Sequence, residues 1–246
     1  MKNVTWFSCG STSAIACKLA ILEDPKVEIV YIDTGSHHSD NKRFLKDCED
    51  WYKKKITILK SQKYANVLDC IRKRKFVNSP FGASCTKFLK TEVRIKYEYE
   101  NDIDTYYWGF EAGKKEENRS YRLQKRYPNF KHKFPLSEKG LTKGNCLVKL
   151  QEAGIELPAM YRLGYGNNNC ICCPKGGMGY LNKIRKDFPE QFYEMAKAER
   201  EIGHSCLRNI FLDELDPDRG TIKEIIPECD IFCNSVNLEA KDIKND

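Results

Sequence analysis

The chain has 246 residues, 41% of them apolar and 31% charged, a length and mix that suit one α/β domain or one domain with an appended lobe and exclude a low-complexity or fibrous chain. No apolar run reaches the roughly 18–20 residues of a membrane span, and the N-terminus lacks a secretory leader pattern, so a cytoplasmic location is expected. A formal net charge of +7, from 42 basic and 35 acidic residues, favours an anionic small-molecule ligand and leaves nucleic acid open as a less favoured partner.

In chain order, KNVTWFS reads as a short buried strand and is followed by the small-residue loop Ser8–Ser13. SAIACKLAIL then carries apolar residues at helical spacing. VEIVYIDTG is a second strand, rich in β-branched residues and ending at Asp33, Thr34 and Gly35. DNKRFLKDCEDWYKK reads as an amphipathic helix with Asp40 as its N-cap, KITILK as a third strand, and YANVLDCIRKRKF and CTKFLKTEVRIKYEYE as further helices. DTYYWGF is a fourth strand. Strands alternating with helices over short connections predict a Rossmann-like, doubly wound parallel sheet. Ligands of such sheets sit at the carboxyl ends of the strands, which places Ser8–Ser13, Asp33–Gly35 and Gly109–Arg122 on one rim.

Beyond about residue 130 the pattern changes to helices separated by Gly- and Asn-rich loops. We divide the chain into a nucleotide-binding α/β domain, 1–130, and a helical, cysteine-rich C-terminal lobe, 131–246, whose last residues are expected to be disordered. The charged positions Glu194, Glu199, Arg200 and Glu201 read as a solvated helix face.

The loop Ser8-Cys9-Gly10-Ser11-Thr12-Ser13 between strand and helix is either a capped turn or an oxyanion cradle, because small residues let backbone N–H groups approach a phosphate. It is not a Walker A loop, since no closing Lys-Ser/Thr pair follows. Asp33 at a strand end can accept from a ribose or an adenine, and Gly35 permits close approach of a ligand. Twelve cysteines in a reducing compartment do not make a disulfide framework. Cys9, Cys17, Cys48, Cys70, Cys146 and Cys172 read as small buried hydrophobes. Cys170 and Cys173 form a C-x2-C pair, and Cys229 with Cys233 a C-x3-C pair, both with ligand spacing.

These stretches, in this order over residues 4 to 173, resemble the phosphoadenosine phosphosulfate (PAPS) reductase-like family of the PP-loop, or adenine-nucleotide alpha-hydrolase, superfamily. SCGSTSA is similar to its PP-loop, VYIDTGSHHSDNKRFL to its Asp-Thr-Gly segment, and GFEAGKKEENRSYRL to its arginine segment, with Arg119 and Arg122 matching the anion binders. The resemblance implies an adenine nucleotide, ATP or a sulfonucleotide, held by Ser8–Ser13, Asp33–Gly35, Arg119 and Arg122, and a thioredoxin-type reductant. It also implies a [4Fe–4S] cluster, or alternatively zinc, on Cys85, Cys170 and Cys173, with Thr86 standing where a fourth thiolate is expected. PECDIFC resembles the reductases' terminal Glu-Cys-Gly motif, which makes Cys229 either the sulfur nucleophile or, with Cys233, a metal ligand. Cys9 and Thr12 replace a Gly and an Asp of the usual PP-loop, a departure from the ATP pyrophosphatases of the superfamily. Two alternatives stay open: a PP-loop enzyme that activates a nucleic-acid base or carbonyl with ATP, and a non-catalytic nucleotide-binding partner in a modification or phage-defence system.

Overall fold

The computed structural model describes residues 1–80 and 82–222, so Cys229 and Cys233 lie outside the described residues. Five strands form one parallel sheet: β1 (Lys2–Phe7), β2 (Glu28–Asp33), β3 (Ile56–Lys60), a strand at Ile103–Tyr107 and another at Lys131–Lys133. A two-stranded hairpin, β4 (Asn78–Ser79) and β5 (Gly82–Ala83), precedes the last two in the chain, which are therefore β6 and β7. The sheet order is β3-β2-β1-β6-β7. The chain leaves β1 in one direction to build β2 and β3, then returns to build β6 and β7 on its other side. The point of reversal lies between β1 and β6, where an open α/β sheet forms its ligand crevice.

Alternation along β1 sorts the two faces. Val4 and Trp6 pack with Val30, Tyr97 and Tyr106 on one face, while Phe7 faces Ile15, Tyr31 and Phe44 on the other. Helix α1 (Ser11–Glu23) is buried almost all round, and its Ser, Ala and Cys side chains let it fit between the sheet and its neighbours. Helix α2 (Asn41–Tyr52) packs on the same face through Phe44, Cys48 and Tyr52. Asp40 stands at its N-cap position, but the carboxylate makes no capping bond and pairs with Arg43 instead.

Helix α3 (Val67–Arg74) follows β3, and a wide π-type turn, Thr86–Thr91, runs directly into α4 (Glu92–Glu100). The stretch expected to be one plain helix thus begins with an i→i+5 distortion, of a kind that concentrates at functional sites. Helix α5 (Lys114–Arg126) follows β6 and buries none of its residues.

The packing does not divide at residue 130. Strand β7 completes the main sheet, and Leu136, Cys146 and Leu150, the last two on helix α7 (Lys143–Glu152; α6 is Pro135–Glu138), pack with Ile15 and Leu19 of α1. The remaining helices, α8 (Ala159–Arg162), α9 (Met178–Asp187) and α10 (Pro189–Ile202), complete the described chain. α9 and α10 build a second core with α3, in which Leu181, Ile184 and Phe192 meet Val67 and Ile71. Glu199, expected on a solvated face, is fully buried; its carboxylate accepts the backbone N–H groups of Cys206 and Leu212 and closes the loop after α10. Burial raises its carboxyl above the ordinary range. Arg72 from α3 pairs with Glu194 and Glu201 of α10, and Arg200 pairs with Asp213 and Glu214.

Candidate active site

A cleft of about 660 Å³ opens at the carboxyl ends of β1, β2 and β6, where the reversal of strand order predicts it. Ser8 is part of its lining. The loop from Ser8 is held from inside by Ser13, whose Oγ accepts the N–H groups of Ser8 (3.1 Å) and Gly10 (3.2 Å) and donates to the Gly10 carbonyl (2.9 Å). Ser13 therefore shapes the cradle. Gly109 lets β6 end against it, since a Cβ there would lie 3.0 Å from Cα of Ser13. Cys9, in the place of the usual glycine, adopts the left-handed conformation with φ of 61° and is fully buried. Burial, the first cause, and the nearby Asp40 carboxylate push its thiol far above the ordinary range.

Two residues that the sequence reading passed over hold this loop from the C-terminal half. The Asn168 amide donates to the Cys9 carbonyl (2.5 Å) and to Asn41 (2.9 Å). The Tyr161 hydroxyl, on α8, accepts the Ser11 N–H at 3.3 Å. The entry to α8 is clamped in turn: Asp40 accepts Arg43 Nε (2.7 Å), Arg43 Nη2 (2.9 Å) and the Ala159 N–H (2.8 Å), while Arg43 also donates to the carbonyls of Glu156 and Leu157. The Arg43 guanidinium holds the Asp40 carboxyl well below the usual range. Apart from the local Asp40–Arg43 pair, these are contacts across more than a hundred residues, with no local signal.

At the end of β2 the carboxylate of Asp33 accepts the Gly35 N–H (2.8 Å) and pairs with Lys60 (2.8 Å), with His37 Nδ1 at 3.9 Å. Hydrogen bonding from His37, followed by the Lys60 ammonium, depresses its pKa strongly. Gly35 is required by the chain itself. Its φ is 69°, and a Cβ would lie 2.0 Å from the Ala65 carbonyl oxygen, so backbone of the β3–α3 loop fills the space expected for a ligand. Thr34 is buried with its Oγ1 3.0 Å from Cys170 Sγ. His37 Nδ1 is 2.9 Å from the Tyr31 hydroxyl. Burial pushes the Cys170 thiol up, but hydrogen bonding and charge from His37, with Lys90 behind, outweigh it and bring the pKa down to about 7. Burial likewise works against the imidazolium of His37, and the bonds to Asp33 and Cys170 reverse the balance, raising it to about 9.

The long walls of the cleft are cationic. Lys90 and Arg94, one turn apart across the π-turn and α4, form one side; Arg119, Arg122 and Arg126, at i, i+3 and i+7 of α5, form the other. Arg119 is also tied to Glu116 at 2.6 Å and lies over the Phe110 ring. Arg94 lies over Tyr127. Trp6 Nε1, buried in the cleft wall, has no hydrogen-bond partner among the described residues, while Arg94 Nε lies 3.3 Å from the Glu98 carboxylate. Arg119 and Arg122 were readable from the arginine segment. Lys90, Arg94 and Arg126 carry a periodicity signal, but which face they occupy is set only by the fold.

Cys85, Cys170 and Cys173 come into one neighbourhood. Burial, then the charges of the other two thiols, raise Cys85 to about 11. The Tyr180 hydroxyl donates to the Cys170 carbonyl (2.7 Å) and accepts the Cys173 N–H (3.2 Å), fixing the C-x2-C turn, and Gly176 leaves room for that ring. Thiolates are the donors that iron–sulfur clusters and structural zinc use. Among the described residues, however, no three Cys, His, Asp or Glu side chains gather closely enough to hold a metal ion, so no chemistry is routed through one here. No helix among them is long and apolar enough to cross a membrane.

A parallel sheet of reversed strand order, with a small-residue loop and a basic cleft at its carboxyl edge, defines a Rossmann-like α/β protein with a PP-loop. Residues 2–175 match the phosphoadenosine phosphosulfate reductase domain, and the chain belongs to that family. It is similar in fold to the crystal structure of PAPS reductase from Candida auris in complex with phosphate, with a TM-score of 0.51 and 14% identity over 69% of this chain and 81% of that one. It is also 23% identical over 205 residues to an uncharacterized protein of Methanocaldococcus jannaschii. That match takes in 79% of this chain, which spans about two fifths (41%) of the archaeal protein's length.

Proposed function

We propose that the chain binds a sulfonucleotide in this cleft and reduces it by thiol chemistry. The observation that supports the reading is that Ser8, at the start of the small-residue loop, His37 and the α5 arginines Arg119 and Arg122 line one cleft, with the Cys170 thiol buried behind His37 and Thr34. In this reading the loop N–H groups that Ser13 and Tyr161 do not already hold, with Arg119 and Arg122, neutralise the phosphate and sulfate oxygens, and aromatic side chains such as Trp6 and Phe110 pack against the nucleoside.

The proposed nucleophile is Cys229, whose thiolate attacks sulfur. The S–O bond breaks, the nucleoside phosphate leaves with that electron pair, and a thiosulfonate remains on the cysteine. A second thiol then attacks the cysteine sulfur, sulfite departs with the bonding pair, and a disulfide forms. Sulfur is reduced by two electrons, and an external dithiol of the thioredoxin type restores both thiols. Cys85, Cys170 and Cys173, completed by a thiolate from the C-terminal segment, are the proposed ligands should the protein carry an iron–sulfur or zinc centre.

The test is binding and turnover with adenylyl sulfate, PAPS and ATP in parallel. We expect a thermal shift with a sulfonucleotide and dithiol-dependent sulfite release that Cys229→Ser abolishes. Full sulfite release by that variant, or pyrophosphate release from ATP without sulfonucleotide binding, would overturn the reading.

A further inference from the structure

The cleft is strongly cationic. Five cationic side chains line it, and no carboxylate does. From Arg119 to Arg126 the wall runs about 10 Å along the helix axis. At roughly 3.4 Å of axial rise per phosphate in a stacked strand, that length matches about three consecutive phosphates. A sulfonucleotide held by Ser8, Arg119 and Arg122 would still leave Lys90 and Arg126 of the lining unmatched.

The helix that carries the rail has no packing reason for its composition. α5 spans 13 residues and buries none, and a helix polar all round gains little from the core. Its acids, Glu116 and Glu117, sit in the first turn, where they suit the positive end, and Glu116 is already paired with Arg119. Lys114, Lys115, Arg122, Lys125 and Arg126 form no ion pair with a carboxylate among the described residues, so the helix projects an uncompensated positive face beside the cleft.

Between the cationic walls the cleft is aromatic, with Trp6, Tyr31, Phe110 and Tyr127 in its lining and guanidinium groups already stacked on Phe110 and Tyr127. An acidic protein segment would match the charge but brings no planar groups to lie against the guanidinium and aromatic faces of the lining. A single strand of nucleic acid matches both, because its phosphates follow a basic groove while its bases stack on aromatic and guanidinium faces. We propose that this cleft and the exposed face of α5 bind single-stranded polynucleotide, with one nucleotide of the strand reaching the Ser8–Ser13 loop. This goes beyond the sulfonucleotide reading and does not depend on it.

The test is fluorescence anisotropy of the full chain with a labelled mixed-sequence 12-mer, against AMP, the duplex form and poly-glutamate as competitors, over a range of salt. We expect the 12-mer to bind at least tenfold tighter than AMP and more tightly than the duplex. Its affinity should fall with salt at a log–log slope of about −2, near −0.7 for each of about three phosphates neutralised. Arg126→Glu, on a helix with no buried residue, should weaken binding five- to tenfold and flatten that slope. Lys26→Glu, exposed at the opposite end of the sheet, should change affinity less than twofold. A 12-mer that binds no better than AMP, displacement by poly-glutamate as readily as by unlabelled strand, or an Arg126→Glu variant of unchanged affinity would each overturn the proposal. None of these measurements requires turnover, so failure of sulfite release leaves them intact.

Discussion

The Oγ1 of Thr34 lies 3.0 Å from the Sγ of Cys170, joining the end of β2 to the C-x2-C turn 136 residues further along the chain. This contact and the adjacent His37 give one buried cysteine among several an acidic thiol. Cys85 and Cys173 nearby are shifted the other way, chiefly by burial.

Alkylation should therefore single out Cys170 by pH rather than by exposure. With its pKa at about 7 and that of His37 at about 9, the pair is thiolate and imidazolium between those values. The Cys170 alkylation rate, followed by mass spectrometry, should rise through pH 7 and level off near pH 8. In His37→Gln the hydrogen bond and the charge are lost, burial prevails, and the rise should move to pH 9 or above. An unchanged profile in the variant would remove His37 from the account.

Asp40 yields a prediction about acid stability. Its carboxyl is held far below the unfolded value by Arg43, so the folded state gains stability that is complete above the unfolded pKa of about 3.9. That gain is lost as pH falls toward the depressed folded value. Asp40→Asn should cost about 2 kcal/mol at pH 7 in urea unfolding. The gap between variant and parent should narrow as pH is lowered below about 4. Because Asp40 also holds the Ala159 N–H, and Tyr161 of the same short helix holds Ser11, the variant should weaken nucleotide binding as well.

The alternation of strands and helices was legible because β1, β2, β3 and β6 are rich in apolar residues and bounded by turn residues, and helices such as α2 and α3 carry a clear helical period. The Ser8–Ser13 loop was legible as well, as a run of small residues between the first strand and the first helix. What the sequence hid is long-range. Nothing local announces that Asn168 holds Cys9, that Tyr161 holds Ser11, or that β7 belongs to the first sheet. The π-turn was invisible because TKFLKT has ordinary helical composition; the shift in phase that brings Thr86, Lys90 and Arg94 to one cleft appears only once the turn is formed. The expected helix face with Glu199 failed for a related reason: periodicity finds a polar position but not the backbone N–H groups waiting for it.

Gly35 should tolerate no side chain. In Gly35→Ala the new methyl meets the Ala65 carbonyl oxygen at 2.0 Å in a left-handed conformation that already disfavours alanine. The neighbour is backbone, so relief requires moving the β3–α3 loop. We expect a loss of more than about 2 kcal/mol and poor recovery of soluble protein. Gly109→Ala, whose Cβ would meet Ser13 at 3.0 Å, should be milder in stability yet disturb the cradle directly, weakening nucleotide affinity more than it lowers the melting temperature.

Cys9 separates two contributions that a single substitution would confuse. The thiol is buried and its backbone is left-handed, so the side chain gains packing while the conformation costs about 1–2 kcal/mol. Cys9→Ala removes the sulfur and keeps the cost; Cys9→Gly removes both. Urea unfolding should place Cys9→Gly about 1 kcal/mol above Cys9→Ala, the reverse of the order expected at a helical or extended position. The loop N–H groups are held by Ser13 and the Cys9 carbonyl by Asn168, so the cradle keeps its shape in both variants, and nucleotide affinity should change less than threefold. If Cys9→Ala were the more stable of the two, the left-handed conformation would not be a source of strain at this site.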